Sequence, residues 1–253
     1  MSILSPTSHA LVTGGGRGIG RAIASALSQA GATVTVLGRN RETLESLVSV
    51  GIAQAIAVAD VSDQAAVSDA IARAAARQPI DILVANAGAA ESAPFGKSDA
   101  AMFRRMLDVN LMGVVYSMQA ALRPMVQQRS GRIVAIASTA GLKGYAYVSA
   151  YAAAKHAVVG LVKSLALEVA ASGVTVNAVC PGFTDTDLVS ESLDLIMNKT
   201  GRSREQAVTE LTKHNPQGRL VTPEEVADAV LWLCSPGAGA ITGQAIAVAG
   251  GEI

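Results

Sequence analysis

The sequence predicts an α/β fold, one doubly wound parallel sheet of about seven strands with helices on both faces. Three observations predict it. Short apolar runs alternate with longer helical stretches over most of the chain, a glycine-rich turn joins the first run to the first helix, and no Pro/Gly/Ser linker divides the series. Strands that are each followed by a helix pair in parallel through right-handed crossovers, which cover both faces of the sheet. A chain of 253 residues can hold two small domains or one α/β domain, and the unbroken alternation favours a single domain over 1–253.

The first run, His9-Ala10-Leu11-Val12-Thr13, ends in Gly14-Gly15-Gly16-Arg17-Gly18-Ile19-Gly20 and passes into a helical stretch over 21–30. That order is strand, glycine turn, helix, the opening unit of a Rossmann-type sheet. Further strand-like runs cover 33–37, 53–59, 81–85, 132–137, 174–179 and 245–248, with helical stretches over 41–50, 62–77, 98–128, 148–171 and 223–234 between them. The rhythm breaks at 183–219, which is polar, carries Lys199, Arg202 and Arg204, and shows no strand. An insertion just past a strand's carboxyl end stands where open α/β sheets bind ligands, so a substrate lid is expected there, against the alternative of a solvated helical excursion. Along 111–126 and 157–171 the apolar residues cover more than one helical stripe. Packing on a sheet would leave part of that surface in water, so a homo-oligomer, a dimer or a tetramer, is expected.

Composition excludes several classes. Half the residues (50%) are hydrophobic and 16% are charged, which excludes disorder. Lys+Arg and Asp+Glu balance at 20 each, so no net field draws the chain to nucleic acid or to an anionic membrane. Residues 1–9 lack the basic segment and apolar core of a signal peptide, and no apolar run approaches the roughly 20 residues that span a bilayer, so a cytoplasmic protein is expected. Cys180 and Cys234 have neither framework nor metal-ligand spacing and suit a reducing compartment; with His9, His156 and His214 scattered, no metal site is expected.

The glycine turn after the first strand lets the backbone approach a pyrophosphate, whose charge the following helix N-terminus favours. Its spacing, Thr13-Gly14-xxx-Gly18-x-Gly20, differs from the GxGxxG fingerprint, and tight turns also need glycine, so its position in the sheet carries the argument. The second strand ends in Leu37-Gly38-Arg39-Asn40, with a guanidinium where an acid would hold a free ribose 2′-OH. With Arg17 as a second cation, NADP(H) is favoured and NAD(H) remains possible. The alternative reading of Arg39 is a surface residue before a helix.

Tyr151 and Lys155 stand four residues apart in an alanine-rich helical segment, Ser149-Ala150-Tyr151-Ala152-Ala153-Ala154-Lys155. Residues i and i+4 share a helix face, so the ammonium is expected beside the phenol, favouring its ionised form. A phenol near its ordinary pKa of about 10 is a weak acid or base at neutral pH, and such a neighbour moves it usefully. A core aromatic and a surface cation would look the same by spacing alone. Ser138 ends an apolar strand, where its hydroxyl can bond a substrate oxygen or merely form a turn. Tyr145 and Tyr147 lack a lysine four residues on and are expected to wall a pocket or to pack.

Taken together these residues resemble the short-chain dehydrogenases/reductases over essentially the whole chain. Thr13 to Gly20 looks like that family's TGxxxGxG turn, with Gly14, Gly16, Arg17, Gly18, Ile19 and Gly20 on the cofactor; Arg39 and Asn40 follow at the second strand's end. Asp60-Val61 resembles its adenine-contacting pair and Asn86-Ala87-Gly88 its NAG segment. Pro181-Gly182, with Thr184 and Thr186, is similar to the stretch that borders the nicotinamide. Asn110, Ser138, Tyr151 and Lys155 fall where the family keeps its catalytic residues, with Tyr151 and Lys155 also meeting the cofactor. The resemblance implies hydride transfer between nicotinamide and a carbonyl or secondary alcohol, Tyr151 handling the proton, Ser138 binding the oxygen, and Asn110 holding a water that links Lys155 to solvent.

Within the family the likeness is strongest to 3-oxoacyl thioester and polyketide ketoreductases. A 3-oxoacyl thioester or related ketone is therefore the expected substrate, and Ala140, Leu142, Tyr145, Val148 and Phe183 would make an apolar pocket for it. A dehydrogenase of a small secondary alcohol or 3-hydroxy acid is the alternative. A non-catalytic nucleotide-sensing regulator is a distant one, because all four catalytic positions are filled.

Overall fold

In the computed structural model, Leu4, Ser5 and residues 7–253 are described, so Met1 to Ile3 and Pro6, read above as part of a leaderless N-terminus, lie outside the described residues. Among these, seven strands form one parallel sheet in the order β3-β2-β1-β4-β5-β6-β7: β1 His9–Thr13, β2 Thr33–Gly38, β3 Ala55–Val58, β4 Ile82–Ala85, β5 Gly131–Ile136, β6 Val174–Pro181 and β7 Ala245–Val248. The helices are α1 Gly18–Gln29, α2 Arg41–Ser49, α3 Gln64–Arg77, α4 Ala100–Leu107, α5 Gly113–Gln128, α6 Ser149–Val169, α7 Asp187–Thr200, α8 Arg204–Thr212 and α9 Pro223–Cys234.

Strand periodicity sorts the core into two layers. Leu11, Leu83, Ile133 and Val176 point to one face and pack with Val67, Met118 and Val162 of α3, α5 and α6. Ala10, Val12, Val34, Val36, Val84 and Val134 point to the other and pack with Ile23, Leu27, Val226 and Val230 of α1 and α9. Both faces being covered explains why the strands read as nearly continuous apolar runs. Helix starts follow local capping: the side chains of Asn40, Asp63 and Asp99 accept from the N–H groups of Thr43, Ala66 and Met102. Thr222 with Glu225, and Ser203 with Gln206, form reciprocal capping boxes.

The expected helix over 98–128 is not continuous. It begins at Ala100, after the Asp99 cap, and a π turn at Asp108–Met112 separates α4 from α5. The expected strand over 53–59 shortens to Ala55–Val58, and the first helix starts at Gly18 rather than at residue 21. The insertion folds as α7 and α8, hung from a parallel bridge between Thr184 and Val221. The side chain of Lys199 lies outside the described residues, and Arg202 pairs with Glu210 at 3.1 Å.

The chain runs outward from β1 through β2 to β3, then returns to place β4 on the other side of β1. That reversal opens a crevice at the carboxyl ends of β1 and β4. Glycine turn, Arg39, Asp60, Asn86, Ser138 and Pro181-Gly182 follow or end β1 to β6 in turn, so all six segments reach the same edge of the sheet.

Candidate active site

The cradle begins at Thr13, the last residue of β1. Its Oγ1 accepts from the backbone N–H groups of Asn86 (3.0 Å) and Ala87 (3.1 Å), while Asn86 Nδ2 donates to the carbonyls of Thr13 (2.9 Å) and Gly14 (3.1 Å). This joins the glycine turn to the segment after β4. Gly14 and Gly18 hold left-handed backbone, with φ of 63° and 51°. At Gly20 the requirement is space: a Cβ would lie 2.2 Å from the Gly14 carbonyl oxygen and 2.5 Å from Asn86 Nδ2. No side chain caps the N-terminus of α1, so its first N–H groups stay available to an anion.

Arg39 and Arg17 stand at the rim, each facing a carboxylate. Arg39 Nη1 is 3.7 Å from Asp60 Oδ2, and Arg17 Nη1 is 3.9 Å from Asp187 Oδ2 at the start of α7. The Ser62 backbone N–H, and after it Arg39, hold the Asp60 carboxyl below its ordinary pKa. Exposed pairs at such distances contribute about 0–1 kcal/mol, so a phosphate can take either guanidinium. Asn40 spends its side-chain oxygen on capping α2, Val61 packs against Gly113 at the start of α5, and Ile19 is half-buried in the core. The uncapped helix start, the glycine approach and the two rim guanidiniums together fit a dinucleotide phosphate.

On the far side, Thr184 is buried and its hydroxyl donates to the Gly182 carbonyl at 3.0 Å, while the Thr186 hydroxyl donates to the Thr184 carbonyl at 3.2 Å. Thr186 also closes on the glycine turn, since a Cβ on Gly18 would meet its Cγ2 at 3.3 Å.

Ser138, Tyr151 and Lys155 converge beside this crevice. Ser138 follows β5 and accepts from the Ala140 N–H at 3.1 Å, starting a short turn. Its hydroxyl also acts on the Tyr151 phenol and draws its pKa down, against a larger upward push from burial. Lys155 is fully buried; its Nζ donates to the Ile136 carbonyl at 2.8 Å and stands 5.6 Å from the centroid of the Tyr151 ring. This corrects the expected arrangement: the ammonium sits over the ring and is tied to β5, and burial leaves the phenol above its ordinary value. Burial likewise lowers Lys155 to about 8.

Asn110 lies in the π turn, wholly buried. Its Nδ2 donates to the carbonyls of Ala89 (2.9 Å) and Met106 (3.0 Å), and its Oδ1 accepts from the Ala89 N–H at 3.2 Å. From the π turn Asn110 thus bonds a carbonyl one turn back and fastens the segment after β4. A Cβ on Gly88 would lie 2.8 Å from Asn110 Oδ1 and 3.6 Å from Lys155 Nζ, so glycine keeps open the ground between them.

Of the expected pocket residues, Tyr145 and Phe183 meet edge to face at 6.1 Å between ring centroids, whereas Leu142 packs toward the sheet core. Tyr147 is exposed, in left-handed backbone at φ 70°, and its carbonyl accepts from the Ala93 N–H at 2.8 Å, joining two loops at the mouth. Two neighbours escaped the sequence reading. Cys180 on β6 is buried beside Ser138 and Lys155, and burial pushes its thiol up to about 11. Glu252, 107 residues from Tyr145, accepts a hydrogen bond from it at 2.7 Å; a polar residue after two glycines gave no signal of this.

A nucleotide cradle at the switch point of a doubly wound sheet, with a phenol, a hydroxyl and an ammonium beside it, defines a nicotinamide-dependent oxidoreductase. Residues 14–252 match a family model described as enoyl-(acyl carrier protein) reductase. The chain is 38% identical to a putative ketoacyl reductase of Streptomyces coelicolor, over 96% of this chain and 95% of the relative. It is 40% identical to the cis-4-hydroxycyclohexanecarboxylate dehydrogenase of Sinomonas cyclohexanicum, over 96% and 95%. Among solved structures it matches a variant of the actinorhodin polyketide ketoreductase with NADPH at a TM-score of 0.92 and 36% identity, covering 97% of each chain. The chain belongs to the short-chain dehydrogenase/reductase family and is an NAD(P)-dependent oxidoreductase.

Proposed function

We propose that the protein reduces a neutral, largely apolar ketone, a 3-oxoacyl thioester or a related ketone, using NADPH. The observation that carries this is the convergence of Ser138, Tyr151 and Lys155 at the carboxyl edge of β5, with the serine hydroxyl acting on the phenol. The similarity to ketoacyl and polyketide ketoreductases supports the carbonyl as the reacting group. When bound, the nicotinamide supplies the hydride. Ser138 donates a hydrogen bond to the carbonyl oxygen, and Tyr151, a neutral phenol at pH 7, gives that oxygen its proton. Lys155, at about 8, holds a proton next to the ring. The open side of Gly88 leaves room for a water between Lys155 and Asn110, through which the phenol is reprotonated.

Arg17 and Arg39 are the residues for a 2′-phosphate, supporting NADPH over NADH. Gly14 to Gly20, Asp60-Val61, Asn86 to Gly88 and Pro181 to Thr186 border the dinucleotide. Helices α7 and α8 serve as the substrate lid of a single-domain enzyme, and the edge-to-face pair of Tyr145 and Phe183 supports an apolar substrate. Exposed Leu167 on α6 and Val126 on α5 support a homo-oligomer, a dimer or a tetramer. Among the described residues no helix is long and apolar enough to cross a membrane, and both cysteines are free and buried, which fits the cytoplasm. The test is NADPH and NADH consumption with acetoacetyl-CoA, longer 3-oxoacyl thioesters, aryl ketones and cyclic ketones. Tight NADPH binding with no turnover across that panel would overturn the assignment.

A further inference from the structure

Outside the catalytic group, the most deeply buried ionic cluster near the crevice is at the end of the chain. The Glu252 side chain is 3% exposed and pairs with Lys143 Nζ at 3.0 Å. Its Oε1 lies 2.7 Å from the Tyr145 hydroxyl, which also lies 2.7 Å from Thr139 Oγ1. A carboxylate has no proton to give, so Tyr145 donates to Glu252, and Tyr145 in turn accepts from Thr139. Lys143 Nζ also stands 5.1 Å over the Tyr145 ring and reaches the Glu252 carbonyl at 3.4 Å. Lys143 and Tyr145 thus meet on one carboxylate oxygen of Glu252, with Thr139 bonded to the tyrosine behind it.

The cluster spans two sides of the site. Thr139 follows Ser138 directly, and Tyr145 closes the loop before α6. The other carboxylate oxygen rests against Gly182: a Cβ there would meet Glu252 Oε2 at 3.4 Å and the Ala249 Cβ at 3.2 Å. Phe183, the next residue, meets the Tyr145 ring edge to face. We propose that Glu252 is a positioning residue: through Lys143 and Tyr145 its carboxylate fastens the loop 139–145 to the Gly182-Phe183 segment and so fixes the aromatic wall of the ketone pocket. Cofactor binding and proton transfer remain with the residues named above. The proposal rests on the ketone-reductase reading of the same site.

The test uses the full chain with Glu252→Ala, which removes the latch, and Glu252→Gln, which keeps an acceptor for Tyr145 and loses the charge. Three quantities are read: kcat and KM for a neutral ketone at saturating NADPH, NADPH affinity by fluorescence, and amide exchange over 139–148 without cofactor. Glu252→Ala is expected to raise ketone KM about tenfold with kcat within about threefold, and to leave NADPH affinity unchanged, as loss of positioning does. The amides of Gly141, Leu142 and Lys143, all hydrogen-bonded within the loop, should exchange faster while the rest of the chain keeps its protection. Glu252→Gln should fall between wild type and Glu252→Ala. Unchanged KM and exchange in Glu252→Ala would overturn the proposal. So would a parallel loss of kcat, NADPH affinity and melting temperature, which would make Glu252 a general structural anchor. If the wild type turns over no ketone, the ketone reading fails, and the exchange measurement still decides whether the latch exists.

Discussion

Lys155 Nζ donates to the carbonyl of Ile136, the last residue of β5, at 2.8 Å, so the ammonium on α6 is anchored to the strand that presents Ser138. Burial holds Lys155 at about 8, below its ordinary 10.5. Above about 8 the unfolded chain binds the proton that the folded one releases, so this group's contribution to stability rises from pH 8 to about 10.5 and is lost as pH falls back through 8. Lys155→Met should abolish turnover. It should also be more stable than wild type at pH 7 by up to about 3 kcal/mol, an advantage that shrinks toward pH 10.5. Denaturant melts of both proteins across that range check the sign. Cys234, pushed up to about 12, lowers stability above pH 9 in both proteins and cancels in the difference, whereas Cys180, pushed up to about 11, loses the neighbouring charge in the variant, so the comparison is cleanest below pH 9.

Tyr151→Phe should lower kcat by about 10³-fold or more while NADPH affinity stays within about twofold, because the ring and its packing remain. Ser138→Ala should cost about 10²-fold, the loss of one donor at the reacting oxygen. Single-turnover kinetics at saturating NADPH separates these from binding defects. Near-normal turnover of the phenylalanine variant would remove Tyr151 from the mechanism.

Arg39→Asp should shift cofactor preference toward NADH by about tenfold or more, by removing a phosphate ligand and adding a charge that repels one. The new carboxylate would stand beside Asp60, which now faces Arg39 at 3.7 Å, so the Asp60 pKa should rise. The ratio of kcat/KM for NADPH and NADH reads the first effect. An unchanged ratio would mean that Arg39 does not meet the phosphate.

Gly20→Ala should weaken NADPH binding by about 10²-fold and destabilise the chain by about 3 kcal/mol, since its Cβ would press into the Gly14 carbonyl at 2.2 Å. Gly96→Ala is the control: nothing lies within 4 Å of a Cβ there, and its φ is not in the left-handed region, so it should leave both quantities unchanged. Calorimetry with and without NADPH compares the pair.

Much of the sheet was legible because its physics is local. Runs such as Ala10-Leu11-Val12 and Ile82-Leu83-Val84 are apolar on both faces, and glycines and capping side chains mark where strands give way to helices. The i,i+4 relation of Tyr151 and Lys155 was legible for the same reason. What ties Lys155 down was not, because the Ile136 carbonyl lies 19 residues away and offers no side-chain signature. The π turn at Asp108–Met112 was hidden likewise, and the partner of its Asn110, the backbone of Ala89, lies 21 residues earlier. Glu252 and Tyr145 meet only after the last strand has been added to the sheet edge beside β6.

The paired hydrogen bonds that Thr13 Oγ1 accepts from Asn86 and Ala87 have a mechanical consequence. They join the glycine turn to the segment that Asn110 also holds, so the floor of the crevice is tied into the sheet. With α7 and α8 as the proposed lid, admission and release of a dinucleotide would fall to what hangs beyond Gly182, and the Arg17–Asp187 pair at 3.9 Å is where α7 meets the floor. A cofactor phosphate that claims Arg17 would part the two, making arrival of the nucleotide and the position of α7 a single event.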